Sequence, residues 1–592
     1  MNPERPRFTV TGPSPVLVLT ERLQAVLSEA FGREYASTDP AIRPSNYADL
    51  QADVAMALAK PLGYNPRVVA REIVGRLDVA DVVSDIAISG RGFINLTLSD
   101  EWIAAQVQRI SADLRLLVPI AEQPLRIVTE YSSPNIAKVM HVGHLRSTVV
   151  GDAIARVLDF LGHDVILVNH IGDWGTPFGK LIEYLLDHEG GPDAGADAFV
   201  SDPGAFYKAA DAKDKSDEEF AGRARRRLVA LQTGDEETLR YWRLLVDVSM
   251  RSYNSLYERL GVQLTDDHVK AESFYNGELA LTVDALVGHN LAFVSDGALC
   301  AFPPGFKGQD GGPKAVIVRK SDGGYLYTTT DLAAIRYRIG VEHADRVVYV
   351  VGAEQTEHFE LLFAIAEMAG WLPEGVVLEH AKIGLVTGPD GRKLKSRSGE
   401  AVKLSELLDQ AYERANAVFD EIRHDAPIDS ATRAAIVSDV AIGAVKFADL
   451  LVARDKQYTF DLGRMVSFTG KSAGSVQYAV VRMKSVLRKA GRTPETATGP
   501  IVIGTTEERA LALHLLDFGT TLEQAGAAAE PHLLAGYLYE LAKHYTAFHE
   551  NCPVLKAPDE ETRASRLALC AVTLRTLVTG LSLLGVPTPD RM

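Results

Sequence analysis

The chain has 592 residues, of which 46% are hydrophobic and 24% are charged, and its formal net charge is −16. That length exceeds what one hydrophobic core supports and predicts three or four domains, while the composition excludes a disordered or fibrous protein. The negative charge argues against a protein that coats nucleic acid without specificity, although local basic patches are compatible with specific RNA binding.

The cysteines and the apolar runs indicate a cytoplasmic protein. Cys300, Cys552 and Cys570 are scattered, form no CxxC pair and supply no thiolate set for zinc. So few cysteines fit a reducing compartment. The apolar run at residues 16–19 is too short for a signal peptide, and no apolar stretch reaches the length that we expect of a membrane span.

Residues 1–118 mix helix and strand signals and predict an α+β N-terminal domain. A helix is predicted around residues 54–58, then a turn at 61–64 and a second helix over 66–77. Residues 93–98 alternate apolar and polar side chains, as a half-buried strand does. Another helix begins near residue 100, and a linker follows at 119–124.

From residue 119 to about 375 the pattern becomes strand, helix, strand. Strands are predicted at 126–130 and 165–168, with a helix between them that Gly162 ends. This βαβ unit predicts a Rossmann-type, doubly wound parallel sheet in a multidomain α/β protein. A second strand and helix at 346–351 and 357–369 extend it. Residues 189–230, rich in Gly, Asp, Lys and Arg, are interpreted as an inserted surface segment.

Helical periodicity dominates the last third of the chain. It runs from about residue 434 to residue 580 and predicts a helical bundle. We therefore expect a basic loop with a connecting helical region over 376–464, and an all-helical domain over 465–592.

The segment after the first predicted strand of the parallel sheet carries the clearest chemical signal. Such sheets bind ligands at the carboxyl ends of their strands, and there the sequence reads SSPNIAKVMHVGHLRST at 132–148. His141 and His144 share one face at a helix start, where they can hold a polyphosphate. Gly143 lets a ligand ring approach the backbone. The alternative is a helix cap with two surface histidines.

Together with GDWGTPFG at 172–179, this string resembles the arginyl-tRNA synthetases, a class I aminoacyl-tRNA synthetase family. No Walker loop competes, because the glycine-rich stretch 305–314 lacks the GK[ST] ending. The resemblance implies that ATP and L-arginine give arginyl-adenylate, which the terminal adenosine 2′-hydroxyl of tRNA(Arg) attacks. It also implies Mg²⁺ with the ATP, tRNA binding before adenylate formation, and a monomer.

An arginine pocket must meet a planar guanidinium with carboxylates. Tyr327 and Asp331 are four residues apart and share a helix face, Glu272 is a second acid, and Gln355 follows a strand end. The resemblance implies that these four and Asn135 line the pocket. Without it, Asp331 reads as an acid at a helix start and Tyr327 as a core aromatic.

A basic loop at 391–399 resembles the mobile phosphate-binding loop of the class, known by its KMSKS motif. Ser396 stands where the usual motif has its second lysine. The resemblance implies that Lys138 compensates, beside His141, His144, Lys393 and Lys395 as catalytic groups. It also implies ATP contacts from Gly143, Gln355, Lys395 and Ser396 as well as the two histidines. The alternatives are a solvated basic turn and a lysine that only solvates its own loop.

The C-terminal bundle resembles the anticodon-binding domain of the same family, through residues 477–479 and 583–592. Splayed bases stack on aromatic and Arg side chains, so Tyr478 and Arg482 are expected tRNA contacts. The resemblance of the chain end adds the terminal Met592 to the expected contacts. Lys471 and Ser472 depart from the Asn-Thr that the family often has there. The N-terminal domain resembles the extra domain that these enzymes place against the tRNA elbow. The arginines at 223 and 225–227 are either acceptor-stem contacts or a solvated helix face.

Three alternatives stay open at this point. Another class I synthetase, such as the cysteinyl enzyme, would need a zinc–thiolate site. A tRNA-independent adenylyltransferase would have no use for the C-terminal bundle. A non-catalytic RNA-binding relative would not need the histidine motif or the pocket acids.

Overall fold

The sequence pattern changes twice along the chain, and the architecture changes with it. The computed structural model describes residues 14–308, 311–388, 391–392, 402–421, 428–467 and 470–591. Lys393, Lys395, Ser396 and Met592 lie outside the described residues.

The N-terminal part is a four-stranded antiparallel sheet with helices against it, in the strand order β1-β2-β4-β3. Ser99 starts the helix after the sheet, where its hydroxyl accepts a hydrogen bond from the Trp102 N–H at 3.0 Å, as a helix cap does. The elements are α1 (Pro15–Phe31), β1 (Ile42–Pro44), β2 (Leu50–Ala52), α2 (Val54–Leu62), α3 (Pro66–Arg76), β3 (Val83–Ser89), β4 (Phe93–Leu98) and α4 (Asp100–Ala112).

The central part contains four parallel strands in the order β11-β10-β5-β6. Its elements are β5 (Arg126–Glu130), α5 (Val142–Phe160), β6 (Asp164–Val168), α6 (Thr176–Leu186), α7 (Pro192–Ser201), α8 (Pro203–Ser216), α9 (Glu218–Thr233), α10 (Glu236–Leu260), α11 (Leu279–Gly288), β7 (Ala292–Ser295), β8 (Ala298–Ala301), β9 (Val316–Arg319), α12 (Tyr327–Gly340), β10 (Arg346–Tyr349), α13 (Thr356–Met368) and β11 (Val377–His380). Strands β7 to β9 form a separate antiparallel sheet.

The parallel register aligns the strand ends at one edge. Glu130 of β5 lies opposite Val168 of β6 and Tyr349 of β10. The chain leaves β5 for β6 on one side and later returns to β10 on the other. The gap between β5 and β10 is therefore the switch point, where parallel sheets bind ligands.

The segment at 189–230, which the sequence analysis interprets as an insertion, consists of helices α7 to α9 and is called here the helical subdomain. Helices α7 to α9 enclose the buried rings of Phe199, Phe206 and Phe220. Within the arginine cluster, Arg223 and Arg227 both pair with Glu183 of α6, at 2.8 and 3.0 Å. Two of the four arginines are thus committed to internal ion pairs. From composition alone, a segment rich in charged residues is expected to be solvated. Here Arg223 and Arg227 instead hold helix α9 against helix α6.

The C-terminal part is helical, as its periodicity predicts. Its elements, with the connecting region before it, are β12 (Val386–Thr387), α14 (Leu404–Glu421), α15 (Ser430–Leu450), β13 (Tyr458–Thr459), α16 (Leu462–Met465), α17 (Ala473–Lys489), α18 (Thr506–Leu515), α19 (Phe518–Ala528), α20 (His532–Asn551) and α21 (Glu560–Leu583). The chain end packs on this bundle: the Gln477 amide donates to the Pro587 carbonyl at 2.8 Å.

One described helix, α21, has the length and composition to cross a membrane. The expectation that no stretch reaches that length was therefore wrong for this helix. Seventy-eight per cent of its most apolar window is buried inside the protein, as in the core helix of a bundle.

Candidate active site

The loop after β5 carries the first part of the site in an unusual backbone conformation. Ser132, Ser133 and Ala137 all have positive φ, at 68°, 46° and 63°, which costs side-chain-bearing residues energy and is common at functional sites. Such a loop needs outside support to keep its shape.

Helix α10 supplies that support from one face. The Tyr253 hydroxyl lies 2.7 Å from the carbonyl oxygens of both Asn135 and Lys138. The Ser249 hydroxyl accepts from the Ala137 N–H at 3.1 Å. Four residues beyond Tyr253, the Tyr257 hydroxyl is 2.7 Å from that of Ser132. The sequence analysis missed these positioning residues, although their spacing of four marks one helix face.

His141 and His144 fix each other at the start of α5. Nδ1 of His141 accepts from the Gly143 N–H at 3.0 Å, and Nδ1 of His144 accepts from the His141 N–H at 3.1 Å. The ring centroids are 4.1 Å apart. Because each Nδ1 accepts, the proton of each neutral ring is on Nε2. The pair is therefore both a helix cap and a pair of oriented donors.

Burial keeps His144 neutral at physiological pH. It lowers the pKa of His144 to about 4, helped by the nearby charges of His141 and Lys138. His144 can thus donate a hydrogen bond to a phosphate without carrying a charge of its own.

The chain beyond the predicted basic loop returns directly to the histidine motif. The Val142 N–H donates to the Val402 carbonyl at 3.1 Å, and the Leu404 N–H donates to the Met140 carbonyl at 2.9 Å. His141 and Lys403 form the bridge between them. Lys393, Lys395 and Ser396 themselves are not described, so their roles remain predictions.

Lys138 is exposed and close to the helical subdomain. Its ammonium lies 5.6 Å from the ring centroid of Tyr207 in α8, which Lys180 approaches from 5.5 Å. The predicted role of Lys138 remains untested, but the lysine is on the same supported loop as Asn135.

The predicted arginine-pocket acid Asp331 is held by two histidines. His358 Nε2 is 2.7 Å from Oδ2 of Asp331, and His170 Nε2 is 3.5 Å from Oδ1. Although burial raises the pKa of Asp331, the hydrogen bonds and charges of the two histidines outweigh it and hold this pKa well below its usual range. Tyr327, one turn earlier in α12, has its ring centroid 5.1 Å from that of His358, with the two ring planes tilted by 55°.

Glu272 is placed by a chain segment that continues the sheet beyond β6. Its N–H donates to the Ile171 carbonyl at 2.9 Å, and its carboxylate accepts from the Trp174 N–H at 3.2 Å. Burial raises the pKa of Glu272 to about 6, which the charge of His170 opposes and that of Asp331 reinforces. Among the residues that the structure describes, the nearby Lys270 and Arg338 pair with Glu342 and Glu130 rather than with Glu272.

Asn135 and Gln355 frame the switch point from opposite sides. Asn135 bridges to Gly172, where an added Cβ would lie 2.2 Å from its side-chain oxygen, so only glycine allows this approach. Gln355 ends a short turn after β10, and both side chains are exposed. The structure thus brings Asn135, Glu272, Tyr327, Asp331 and Gln355 to one edge of the sheet.

The predicted tRNA contacts lie far along the chain on α17. The Arg482 guanidinium is 4.8 Å from the Tyr478 ring centroid and donates to its hydroxyl at 3.2 Å. Tyr478 is 39% exposed. The two side chains therefore form a joint cationic and aromatic surface.

Metal ligands are not grouped in the described ranges: no three His, Cys, Asp or Glu side chains there could hold a metal ion. Cys300, Cys552 and Cys570 are buried free thiols.

Comparison with known proteins decides the family. The description "tRNA synthetases class I (R), catalytic domain" matches residues 106–462, "DALR anticodon binding domain" matches 476–592, and "Arginyl tRNA synthetase N terminal domain" matches 17–98. An arginine–tRNA ligase of Thermobifida fusca is 55% identical over 578 residues, which covers 98% of this chain and 100% of that protein.

The chain belongs to the arginyl-tRNA synthetase family.

Other members agree in sequence and in fold. The arginine–tRNA ligase of Frankia casuarinae is 47% identical over 97% of this chain and 99% of its own length. The arginyl-tRNA synthetase structure from Plasmodium falciparum has a TM-score of 0.81 at 27% identity and covers 99% of this chain and 100% of its own. That from Thermus thermophilus has a TM-score of 0.78 at 26% identity, covering 98% and 100%. The predicted family and multidomain fold are confirmed.

Proposed function

We propose that this chain ligates L-arginine to tRNA(Arg), using ATP. The proposal rests on one observation: the histidine pair and the acids Asp331 and Glu272 lie at the same edge of the parallel sheet, on either side of the switch point. Family membership supports ATP, arginine and tRNA(Arg) as its three substrates. The zinc-dependent and tRNA-independent alternatives have no comparable support.

The arrangement suggests how the first step proceeds. Arginine would bind through Asn135, Glu272, Tyr327, Asp331 and Gln355, and its carboxylate would attack the α-phosphate of ATP. Arginyl-adenylate forms as the bond to pyrophosphate breaks. His141 and His144 would donate hydrogen bonds to the phosphates, with Gly143, Gln355 and Ser396 completing the ATP site. Preorganised donors of this kind stabilise charge that develops on phosphate.

Positive charge would come from lysines on two sides of the phosphates. Lys138 lies on the loop before α5, while Lys393 and Lys395 belong to the loop whose far end pairs with His141. Mg²⁺ would enter with the ATP, because that ion is commonly held by substrate phosphates and water. Lys138 acts electrostatically on His144 and Lys403 forms a backbone bridge with His141, and such cations suit phosphate.

The second step would transfer arginine to the 2′-hydroxyl of the terminal adenosine. We propose residues 1–118 as a tRNA-binding domain, 119–375 as the catalytic domain, 376–464 as the loop and connecting region, and 465–592 as the anticodon-binding domain. Tyr478, Arg482 and Met592 would contact the anticodon region. We also propose a cytoplasmic monomer that binds tRNA before it forms adenylate.

Pyrophosphate exchange tests this function directly. The purified full chain is assayed with each amino acid, with and without tRNA(Arg). We expect exchange with arginine alone among the amino acids, and only when tRNA is present. Exchange with another amino acid would disprove the substrate, and arginine exchange at full rate without tRNA would disprove the tRNA requirement.

A further inference from the structure

His170, two residues beyond the end of β6, directs both ring nitrogens at oxygens that can only accept hydrogen bonds. Nδ1 lies 3.0 Å from the carbonyl oxygen of Lys270. Nε2 is buried and makes no hydrogen bond of normal geometry, but it has an ion-pair contact of 3.5 Å with Oδ1 of Asp331. A neutral imidazole has one N–H and one lone pair, so it would turn a lone pair toward one of these oxygens. The doubly protonated imidazolium fits both.

The charges around the ring favour the same form. The acids that act on His170 come from β5, from the loop after β6, from the segment before α11 and from α12: Glu130, Asp173, Glu272 and Asp331. The nearby cations already have partners, since Arg338 pairs with Glu130 and Lys270 pairs with Glu342. The Tyr275 ring packs on His170 at 5.7 Å. Burial and the charge of Arg338 lower the pKa of His170, but the contact with Asp331 and the charges of Glu130 and Asp331 outweigh them, and the net shift is upward.

Asp331 therefore has one imidazole at each carboxylate oxygen. His358 is at Oδ2 and His170 is at Oδ1. A carboxylate offers about four lone-pair positions. His358 occupies one of them and His170 faces the other oxygen, which leaves acceptor positions for the N–H groups of a guanidinium. The two histidines fix the plane in which those positions lie.

The remaining negative charge of the pocket then favours a cationic side chain. His170 offsets the charge of Asp331, which leaves Glu272 as the pocket acid without a cationic partner among the residues described. A guanidinium that joins the pocket balances the second acid. A neutral side chain of the same shape leaves a buried carboxylate uncompensated, which is costly.

We infer that His170 is a positioning residue for arginine selection, and that its imidazolium, opposite His358, holds the Asp331 carboxylate in the plane that receives the guanidinium. The inference rests on the proposed function, because it specifies how that site recognises its amino acid.

Kinetics of His170→Gln test the inference. Arginine-dependent pyrophosphate exchange with tRNA(Arg) present should show a KM for arginine raised by about 10-fold to 100-fold, the order expected when a buried carboxylate loses a charged partner. The kcat should change by less than about 3-fold, because the lost contact binds the arginine side chain and does not stabilise the charge that develops on phosphate in the transition state. His380→Gln is the matched control: this half-buried histidine ends β11 and contacts the Val351 carbonyl at 3.1 Å, not Asp331.

Two further measurements separate positioning from general structural damage. In an Asp331→Asn background, His170→Gln should add little to the KM, since the two residues act on one contact. NMR spectra of ¹⁵N-histidine-labelled wild type and His170→Gln identify the His170 signal, because it is absent from the variant. In the wild type at pH 7.5, that signal should show two protonated ring nitrogens. If His170→Gln does not fold, His358→Gln should show the same KM-specific loss.

An unchanged arginine KM, a loss confined to kcat, or a His170 ring with one protonated nitrogen would overturn the inference. These outcomes leave the proposed function intact, provided that the wild type exchanges pyrophosphate with arginine. A wild type without that exchange would instead refute the function itself.

Discussion

Arg146 and Asp449 form an ion pair that is completely buried between the helix of the histidine motif and the helix that leads toward the C-terminal bundle, with Nε 3.0 Å from Oδ1. The same guanidinium donates to the carbonyls of Gly384 at 3.2 Å, Ala453 at 2.9 Å and Lys456. Arg146 thus ties helix α5 to both chain segments that connect the catalytic and C-terminal parts.

We expect Arg146→Ala to destabilise the protein by about 3–5 kcal/mol, because it removes the cationic partner of the buried Asp449 carboxylate, which keeps only the Tyr458 hydroxyl as a donor. Thermal unfolding followed by circular dichroism measures this loss. Arg109→Ala, which removes an exposed arginine of α4, is the control and should shift the midpoint little. An Arg146→Ala protein with an unchanged midpoint would show that the junction does not depend on the pair.

The pH dependence of arginine binding should report Glu272. Burial raises its pKa to about 6 in the empty pocket. A cationic substrate favours the ionised acid, so proton binding competes with arginine as the pH falls through about 6. The KM for arginine should be flat above pH 7 and rise below pH 6.

The variant Glu272→Gln isolates this effect. It should raise the KM at pH 7.5 and flatten the rise at low pH, whereas Asp173→Asn should retain the rise even though burial also raises the pKa of Asp173 to about 6. A profile that Glu272→Gln leaves unchanged would assign the titration to another group.

Lys138→Ala tests whether the lysine before the histidine motif replaces the one missing at Ser396. The adenylation rate should fall by about 10²-fold to 10³-fold, the size typical of losing one preorganised transition-state contact. Arginine affinity should change little, and Ser396→Lys should restore part of the rate. Lys215→Ala, which removes an exposed lysine near the C-terminal end of α8, is the control. Near-normal turnover of Lys138→Ala would refute the hypothesis that Lys138 compensates for the lysine absent at position 396.

The paired surface of Tyr478 and Arg482 should contribute to tRNA binding. Removing one stacking or cationic contact costs about 1–3 kcal/mol, so Tyr478→Leu and Arg482→Ala should each raise the KM for tRNA(Arg) by roughly 5-fold or more. The KM for arginine should stay constant. Lys543→Ala, an exposed residue of α20, is the control. Unchanged tRNA KM in both variants would place the anticodon elsewhere.

Local sequence predicted the first strands and helices of the parallel sheet, part of the N-terminal domain and the C-terminal bundle, but not the antiparallel sheet of β7 to β9 or the helices from α6 to α11. The strand at 126–130 and the strand at 93–98 match their observed bounds, because alternating or continuous apolar runs fix which residues face the core. The helix predicted at 357–369 begins and ends one residue earlier. The parallel sheet, however, continues to β11 at Val377–His380, two residues beyond the expected end of the catalytic domain.

The site was predictable where a motif carries the chemistry and not where distant segments meet. His141 and His144 are close in sequence, so their mutual capping follows from local helix geometry. The contact of His170 with Asp331, by contrast, joins positions 161 residues apart in sequence, and no local sequence pattern predicts it. His170 stands just before the GDWG string, which was the available signal.

Charging of tRNA(Arg) by the wild type and by Asp331→Asn, with arginine and with citrulline, tests the central claim most directly. Citrulline has the shape of arginine without its charge, so the wild type should prefer arginine by about 10⁴-fold in kcat/KM. Asp331→Asn should lose much of this preference, chiefly through a higher arginine KM. Comparable charging of both amino acids by the wild type would contradict the account.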